Sequence, residues 1–417
     1  MRKTELPAMK LVTPPAYQCY NCQGCGVCCR GYFLVTASRE EYERITAQGW
    51  ENDPELKGKV LFTPLGKRYL LGHRADGACI FLDERGLCRI HGQFGEPAKP
   101  LACRLYPFRL LPIGKQARVD IRFDCPAVAR NQGEPITEQR AALRELLPQV
   151  APSDAPSPPL YGSVRADWSL LVRLTDAFDR LLREPSLDFT RRIVAGVTLA
   201  ALLRTRRIPR LEDRQLDEFL TALPTKIVEG TAKDPLHRLR PVWGERVLFR
   251  QLLGVYARAD RYGERGILCK RLGYSLRMLG GRGLVPPLRD DFPAVRFQDL
   301  DGPMGIPDGA GMETLQRYYR MKLSGMGFFG QGFYGWPYLD GMNALLLTYP
   351  LTLWFARLFA IGSGQSTLDL GSIERAIQVV NHQHGVVPLF HLPTERFRVH
   401  YLCERTHLRS LVIWNGS

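Results

Sequence analysis

Five cysteines crowd one short stretch: Cys19, Cys22, Cys25, Cys28 and Cys29 fall within Cys-Tyr-Asn-Cys-Gln-Gly-Cys-Gly-Val-Cys-Cys. Thiols so close can form disulfides, run thiol redox chemistry or bind a metal. Pairing of the adjacent Cys28 and Cys29 would need a strained eight-membered ring. A thioredoxin-type site uses a single Cys-x-x-Cys between a strand and a helix, whereas here Cys19/Cys22, Cys22/Cys25 and Cys25/Cys28 overlap. Overlapping spacing lets one tight loop aim several sulfurs at one centre, and thiolates select zinc or iron–sulfur. Metal ligation is the expected chemistry.

The identity of the metal is open at this level. Cys19, Cys22, Cys25 and Cys29 follow the ferredoxin spacing C-x2-C-x2-C-x3-C, which holds a [4Fe–4S] cluster, with Arg30 where that motif has Pro. Cys125-Pro126 supplies the Cys-Pro element at a distance. A zinc pattern of separated pairs can also be assembled from Cys22/Cys25 and Cys79/Cys88. Nine of the 11 cysteines lie in the first 125 residues, adding Cys79, Cys88, Cys103 and Cys125 to the five. Nine thiols exceed one tetrahedral site, so either two metals bind or one multi-iron cluster leaves thiols spare. His91 is a further candidate as ligand or as hydrogen-bond donor to a thiolate. Arg30, Arg104 and Arg109, which sit beside candidate ligand cysteines, are expected to offset thiolate charge.

The elements that must position these residues divide unevenly. At 417 residues the chain can bury a core without disulfide staples. Residues 1–147 read as a cysteine-cluster metal-binding domain, 148–160 as a Pro- and Ser-rich linker, and 161–417 as a mainly helical domain. The expected fold is thus α-rich, a loop-rich metal domain packed on a helical one. Ser38-Arg-Glu-Glu41 has capping-box form and opens a short helix closed by Gly49. Apolar spacing of three and four predicts helices over 168–182, 189–203, 211–223, 241–259, 312–323, 338–360 and 372–383, with a loop-rich stretch at 280–311 and a kink or break at Pro350. The uncharged apolar run 341–356 is shorter than the roughly 18 to 20 residues of a membrane span, so no transmembrane segment is expected. The N-terminus lacks an apolar signal region, and a reducing cytoplasm is the expected compartment.

Net charge is +15, which attracts anions without naming them; solvated basic helix faces are favoured over nucleic-acid binding, since no stacking aromatics interleave the arginines. Gly325 to Gly335 contains G-x-G-x-x-G twice, but after a helix and among aromatics, so it reads as a permissive turn. Phe328, Phe329, Phe333, Tyr334 and Trp336 are alternative pocket residues for a sulfonium or ammonium group. His382, His384, His391, His400 and His407 cluster late, and surface or hydrogen-bonded roles are favoured over a second metal site.

The ordered elements Cys22-Gln-Gly-Cys-Gly-Val-Cys-Cys-Arg30, Gly77-Ala-Cys79, Gly86-Leu-Cys88, Lys99-Pro-Leu-Ala-Cys103-Arg-Leu-Tyr-Pro-Phe108 and Cys125 resemble the YkgJ-type family of zinc- or iron-chelating cysteine-cluster domains over residues 17–128. Lys99 stands where that family often has Arg, and His91 where it often has Tyr. The resemblance implies a ligand set of Cys22, Cys25, Cys28, Cys29, Cys79, Cys88, Cys103 and Cys125, with Cys19 outside the core pattern. The second half is similar to the flagellin lysine-N-methylases through Trp168-Ser-Leu-Leu-Val-Arg173 and Leu315-Gln-Arg-Tyr-Tyr-Arg320. That likeness implies methyl transfer to protein lysine, an iron–sulfur cofactor with S-adenosylmethionine as donor, and a protein substrate; no catalytic residue carries over. The rivals are a zinc-stabilised scaffold or adaptor that binds an acidic protein or nucleic acid, and an electron-transfer module.

Overall fold

The computed structural model describes residues 9–30, 34–150, 155–206, 208, 211–236, 239–258, 267–301 and 304–416. Residues 151–154 of the expected linker and Ala259 lie outside the described residues.

The first part is built from short pieces. Strands β1 (Lys10–Leu11), β5 (Phe108–Ile113) and β6 (Gln116–Ile121) form one sheet in the order β1-β6-β5, and β2 (Thr36–Ala37), β3 (Phe62–Leu65) and β4 (Arg68–Leu71) form another in the order β2-β4-β3. Between them run helices α1 (Val27–Arg30), α2 (Arg39–Thr46), α3 (Arg89–Phe94), α4 (Leu101–Leu105) and α5 (Pro126–Ala129). The capping box at Ser38 is present: its hydroxyl accepts the Glu41 amide while Glu41 accepts the Ser38 amide. Both sheets are additions to the loop-rich region expected from sequence.

The remainder is helical: α6 (Arg140–Val150), α7 (Trp168–Leu182), α8 (Phe189–Thr205), α9 (Asp213–Ala232), α10 (Trp243–Tyr256), α11 (Ile267–Gly280), α12 (Phe297–Leu300), α13 (Gly309–Gly325), α14 (Tyr338–Gly362), α15 (Leu370–Gln383), α16 (Pro393–Leu402) and α17 (Arg405–Asn415). Aspartates start several of them. Asp167, Asp188, Asp308 and Asp369 each accept a backbone amide of the first turn of α7, α8, α13 and α15, satisfying donors that have no partner inside the helix.

α14 is the axis of the core, buried at every position from Tyr338 to Ala360. A helix apolar all round must be surrounded, and α8, α15 and α17 pack against it. Of the kink or break expected at Pro350, the break does not form; the helix runs through it. Proline forfeits one backbone hydrogen bond there, and packing on every side outweighs that loss. By length and composition α14 could cross a membrane, but its most apolar window is 94 % buried inside the fold, which makes it a core helix.

One hydrophobic core runs from Leu11 through the β5–β6 hairpin to Ile413. A second, small one gathers Ala37, Ile45, Trp50, Leu56, Leu71, Ile80, Phe81 and Ile90. The cysteine-bearing loops lie beside this small core, with Cys79 and Cys88 packed against it.

Candidate metal centre

Glycine turns deliver the thiols. Gly24 and Gly26 are left-handed at φ 64° and 68°, bending the chain between Cys22 and Cys28. At Gly26 a Cβ would stand 2.9 Å from the Gly86 carbonyl oxygen, so the first cysteine loop can touch the loop carrying Cys88 only because no side chain intervenes. Cys79 and Cys88 each sit two residues after a left-handed glycine, Gly77 and Gly86. Aspartates close both turns: Asp76 accepts the Ala78 amide and Asp83 accepts the Leu87 amide. The Cys79 amide then donates to the Cys29 carbonyl at 2.7 Å, joining the two segments. Glu41 accepts the Leu101 amide at 2.5 Å, which docks the start of α4 and its Cys103 on α2.

The thiols fall into two neighbourhoods. Cys28 and Cys29 have their sulfurs 3.9 Å apart. Cys29, keeping its proton and sharing it with Cys28, makes Cys28 the readier thiolate, and Lys99 favours the same charge. Hydrogen bonding to Cys28, burial and the charges of Cys28, Cys79 and Cys103 raise Cys29. Burial lifts Cys79 to about 11, with Cys88 and Cys28 adding to it. Burial also raises Cys103, which feels Cys79, Cys88 and Cys28. Cys28, Cys29, Cys79, Cys88 and Cys103 therefore sense one another. The second neighbourhood is Cys22, Cys25 and Cys125. Burial raises Cys125 to about 12, with Cys25 contributing, and the half-buried Tyr20 phenol is held neutral first by burial and then by Cys22 and Cys125. Tyr20 and Tyr106 both also feel Cys28, which places Cys28 towards the boundary of the two groups. Tyr20 packs edge-on against Phe108 at 5.5 Å.

The helical region fixes Cys125 from the other side. Cys125 caps α5, with the Ala127 and Val128 amides favouring its thiolate. Its neighbour Asp124 pairs with Arg122 at 2.7 Å and with His382 of α15 at 3.2 Å. Burial opposes ionisation of Asp124, yet Arg122 and His382 outweigh it and hold the carboxyl far below its usual range. Asn381 accepts the Phe123 amide. From α13, Lys322 donates to Asp120 at 3.0 Å and to the Ile121 carbonyl at 2.9 Å, and Arg317 donates to Gln18 and to the Val128 and Ala129 carbonyls. Sequence analysis singled out His382 and the stretch holding Arg317 but foresaw none of these pairings.

Several expected residues stand apart. Cys19 pairs through its backbone with Pro135 and Asn131. His91 is exposed on α3. Arg109 turns to Asp120 and the Gly332 carbonyl; the cations felt by the thiols are Lys99 and Arg74. The late histidines have separate partners: His384 bonds Tyr256 at 2.8 Å, His400 stacks on Trp336 and His407 on Tyr401. The glycine-rich stretch links α13 to α14, where a Cβ on Gly325 would stand 2.6 Å from Asp120. Phe328, Phe329, Phe333 and Trp336 there are buried core side chains.

All eleven cysteines are unpaired. Among the described residues no three His, Cys, Asp or Glu side chains already stand in metal-binding geometry; the fold supplies proximity. The donor set nevertheless fits a soft cation. Thiols that burial keeps protonated, as at Cys79, Cys103 and Cys125, become ligands when a bound metal supplies the compensating charge, and thiolate donors suit zinc or iron–sulfur over hard cations; Cys22 and Cys25 are exposed.

The cysteine loops thus converge beside a small core. Residues 21–126 match the family model CxxCxxCC, described as "Putative zinc- or iron-chelating domain", and the chain carries this cysteine-cluster domain there. No curated protein matches the chain, and no solved structure does.

Proposed function

We propose that the chain is an iron–sulfur protein that transfers methyl groups to protein lysine, with Cys22, Cys25, Cys28, Cys29, Cys79, Cys88, Cys103 and Cys125 as the ligand pool. The observation that carries the cluster reading is the number of thiols in two adjoining neighbourhoods, more than one tetrahedral zinc can use. When bound, an iron–sulfur cluster supplies electron transfer or an open iron for a substrate heteroatom. The chain's own residues do the rest. Lys99 and Arg74 offset thiolate charge, Tyr20, Tyr106 and Phe108 limit water, and the Asp124–Arg122–His382 group orients the segment ahead of Cys125.

Methyl transfer rests on the likeness to the flagellin lysine-N-methylases, with S-adenosylmethionine as donor. The residues that carry that likeness support the scaffold: Arg173 binds Asp213 and Asp217 on α9, and Arg317 ties α13 to the cysteine domain.

Anaerobic purification followed by iron, sulfide and zinc analysis with visible and electron paramagnetic resonance spectra tests the cluster. Stoichiometric iron and sulfide support it; colourless zinc protein overturns it. Incubation with S-adenosylmethionine and candidate lysine proteins tests the activity, and a reversible cluster without methyl transfer would assign electron transfer instead. The matched Gly-x-Cys turns at Cys79 and Cys88 favour a second reading, a zinc-stabilised scaffold, since paired turns of this kind present ligands to one tetrahedral ion.

A further inference from the structure

Helix α11 faces the wrong way for a core helix. Of its described side chains only Met278 is buried, with Arg271 and Tyr274 half-buried beside it. These pack on α10, where Gln251 bonds Ser275 and Arg250 donates to the Met278 carbonyl. Its leucines point outward: Leu272, Leu276 and Leu279 are 64 %, 60 % and 48 % exposed. Spacings of four and three put them on a single stripe. At the start of α10, the helix that α11 packs on, Val242 and Trp243 are also exposed at 61 % and 70 %.

Charge selects what covers this face. α11 carries Lys270, Arg271 and Arg277, Arg282 follows it, and the helix has no Asp or Glu. A second copy of the chain would bring the same cations against themselves, within a molecule already at +15, which disfavours a symmetric dimer. A leucine stripe bordered by Lys and Arg is the composition of a helix lying in the plane of an anionic bilayer.

We propose that helix α11, beside the start of α10, docks the protein on an anionic lipid surface, with Leu272, Leu276 and Leu279 entering the headgroup boundary while Arg277 and Arg282 meet lipid phosphates. This site is independent of the metal reading.

The test is co-sedimentation of the full chain with vesicles of phosphatidylcholine alone and of phosphatidylcholine with an equal part of phosphatidylglycerol. The chain binds the anionic vesicles only. Replacing the three leucines by glutamine weakens binding at least about tenfold, as loss of the buried apolar face requires, and the double variant R277E/R282E lessens its salt dependence. Both variants alter exposed positions and keep the wild-type circular dichroism and melting temperature. Absence of binding by the wild type overturns the proposal. So does binding that survives loss of the leucines, which would be attraction by the general basic surface. A dimer that the leucine variant converts to monomer assigns the stripe to a second copy, and leucine-dependent binding of polyglutamate without vesicle binding assigns it to an acidic protein; either result also overturns it.

Discussion

The helical body and the cysteine loops are held by different means. α14 is buried along its whole working length and packs on neighbours that are themselves apolar, so burial does most to order that region. The loops around Cys79, Cys88 and Cys103 rest on a core of eight residues and are otherwise fixed by turn hydrogen bonds and by links to Cys29 and Glu41. So few buried side chains stabilise little by themselves, as in small domains that depend on metals. The contrast teaches where a metal would act: on the loops, with the helical body as a platform that already stands.

The largest test of this division is at the seam. Asp120→Ala leaves the buried Lys322 ammonium without its carboxylate and should cost about 3–5 kcal/mol in denaturant unfolding. Adding Lys322→Met should recover much of the loss; no recovery would mean the pair is not what joins the hairpin to α13. In the platform, Leu345→Ala should cost about 3 kcal/mol while leaving metal content per folded molecule unchanged. A proportional loss of metal would show that the two regions are not separable.

Acid sharpens the comparison further. Burial pushes His384 down to about 3, well below its ordinary 6.5, so the unfolded chain binds a proton there that the folded chain refuses. Stability from this group is full above pH 6.5 and falls as pH drops towards 3, by about 2 kcal/mol at pH 5. His384→Asn should flatten that part of the melting-temperature profile relative to wild type; an unchanged slope would contradict the assignment. Smallest is Ser38→Ala, which removes the cap on α2 and should cost about 1 kcal/mol, read as earlier melting of the loop region alone.

Legibility in the sequence followed the same division. Trp168 to Leu182 was readable at both ends because its apolar period is regular and Asp167 can cap it. Ser38 to Glu41 was readable because its cap is local. The β5–β6 hairpin was not, since Phe108-Arg-Leu-Leu-Pro-Ile113 is an apolar run with an internal proline and neither a helical nor an alternating period. α11 was not foreseen, although Leu272, Leu276 and Leu279 recur at helical spacing. The cysteines announced metal chemistry by spacing, but their supports did not: Lys322 reaches Asp120 across 202 positions and His382 reaches Asp124 across 258. No local pattern encodes such pairings.

Amide hydrogen exchange on the full chain, with and without its bound metal, tests the central claim most directly. Removing the metal should lower protection at least about a hundredfold through residues 70–107, while α7, α8 and α14 keep theirs. Equal protection of the loops in both states would show that the thiols do not depend on a metal, and a uniform loss across both regions would show that the helical body is no independent platform.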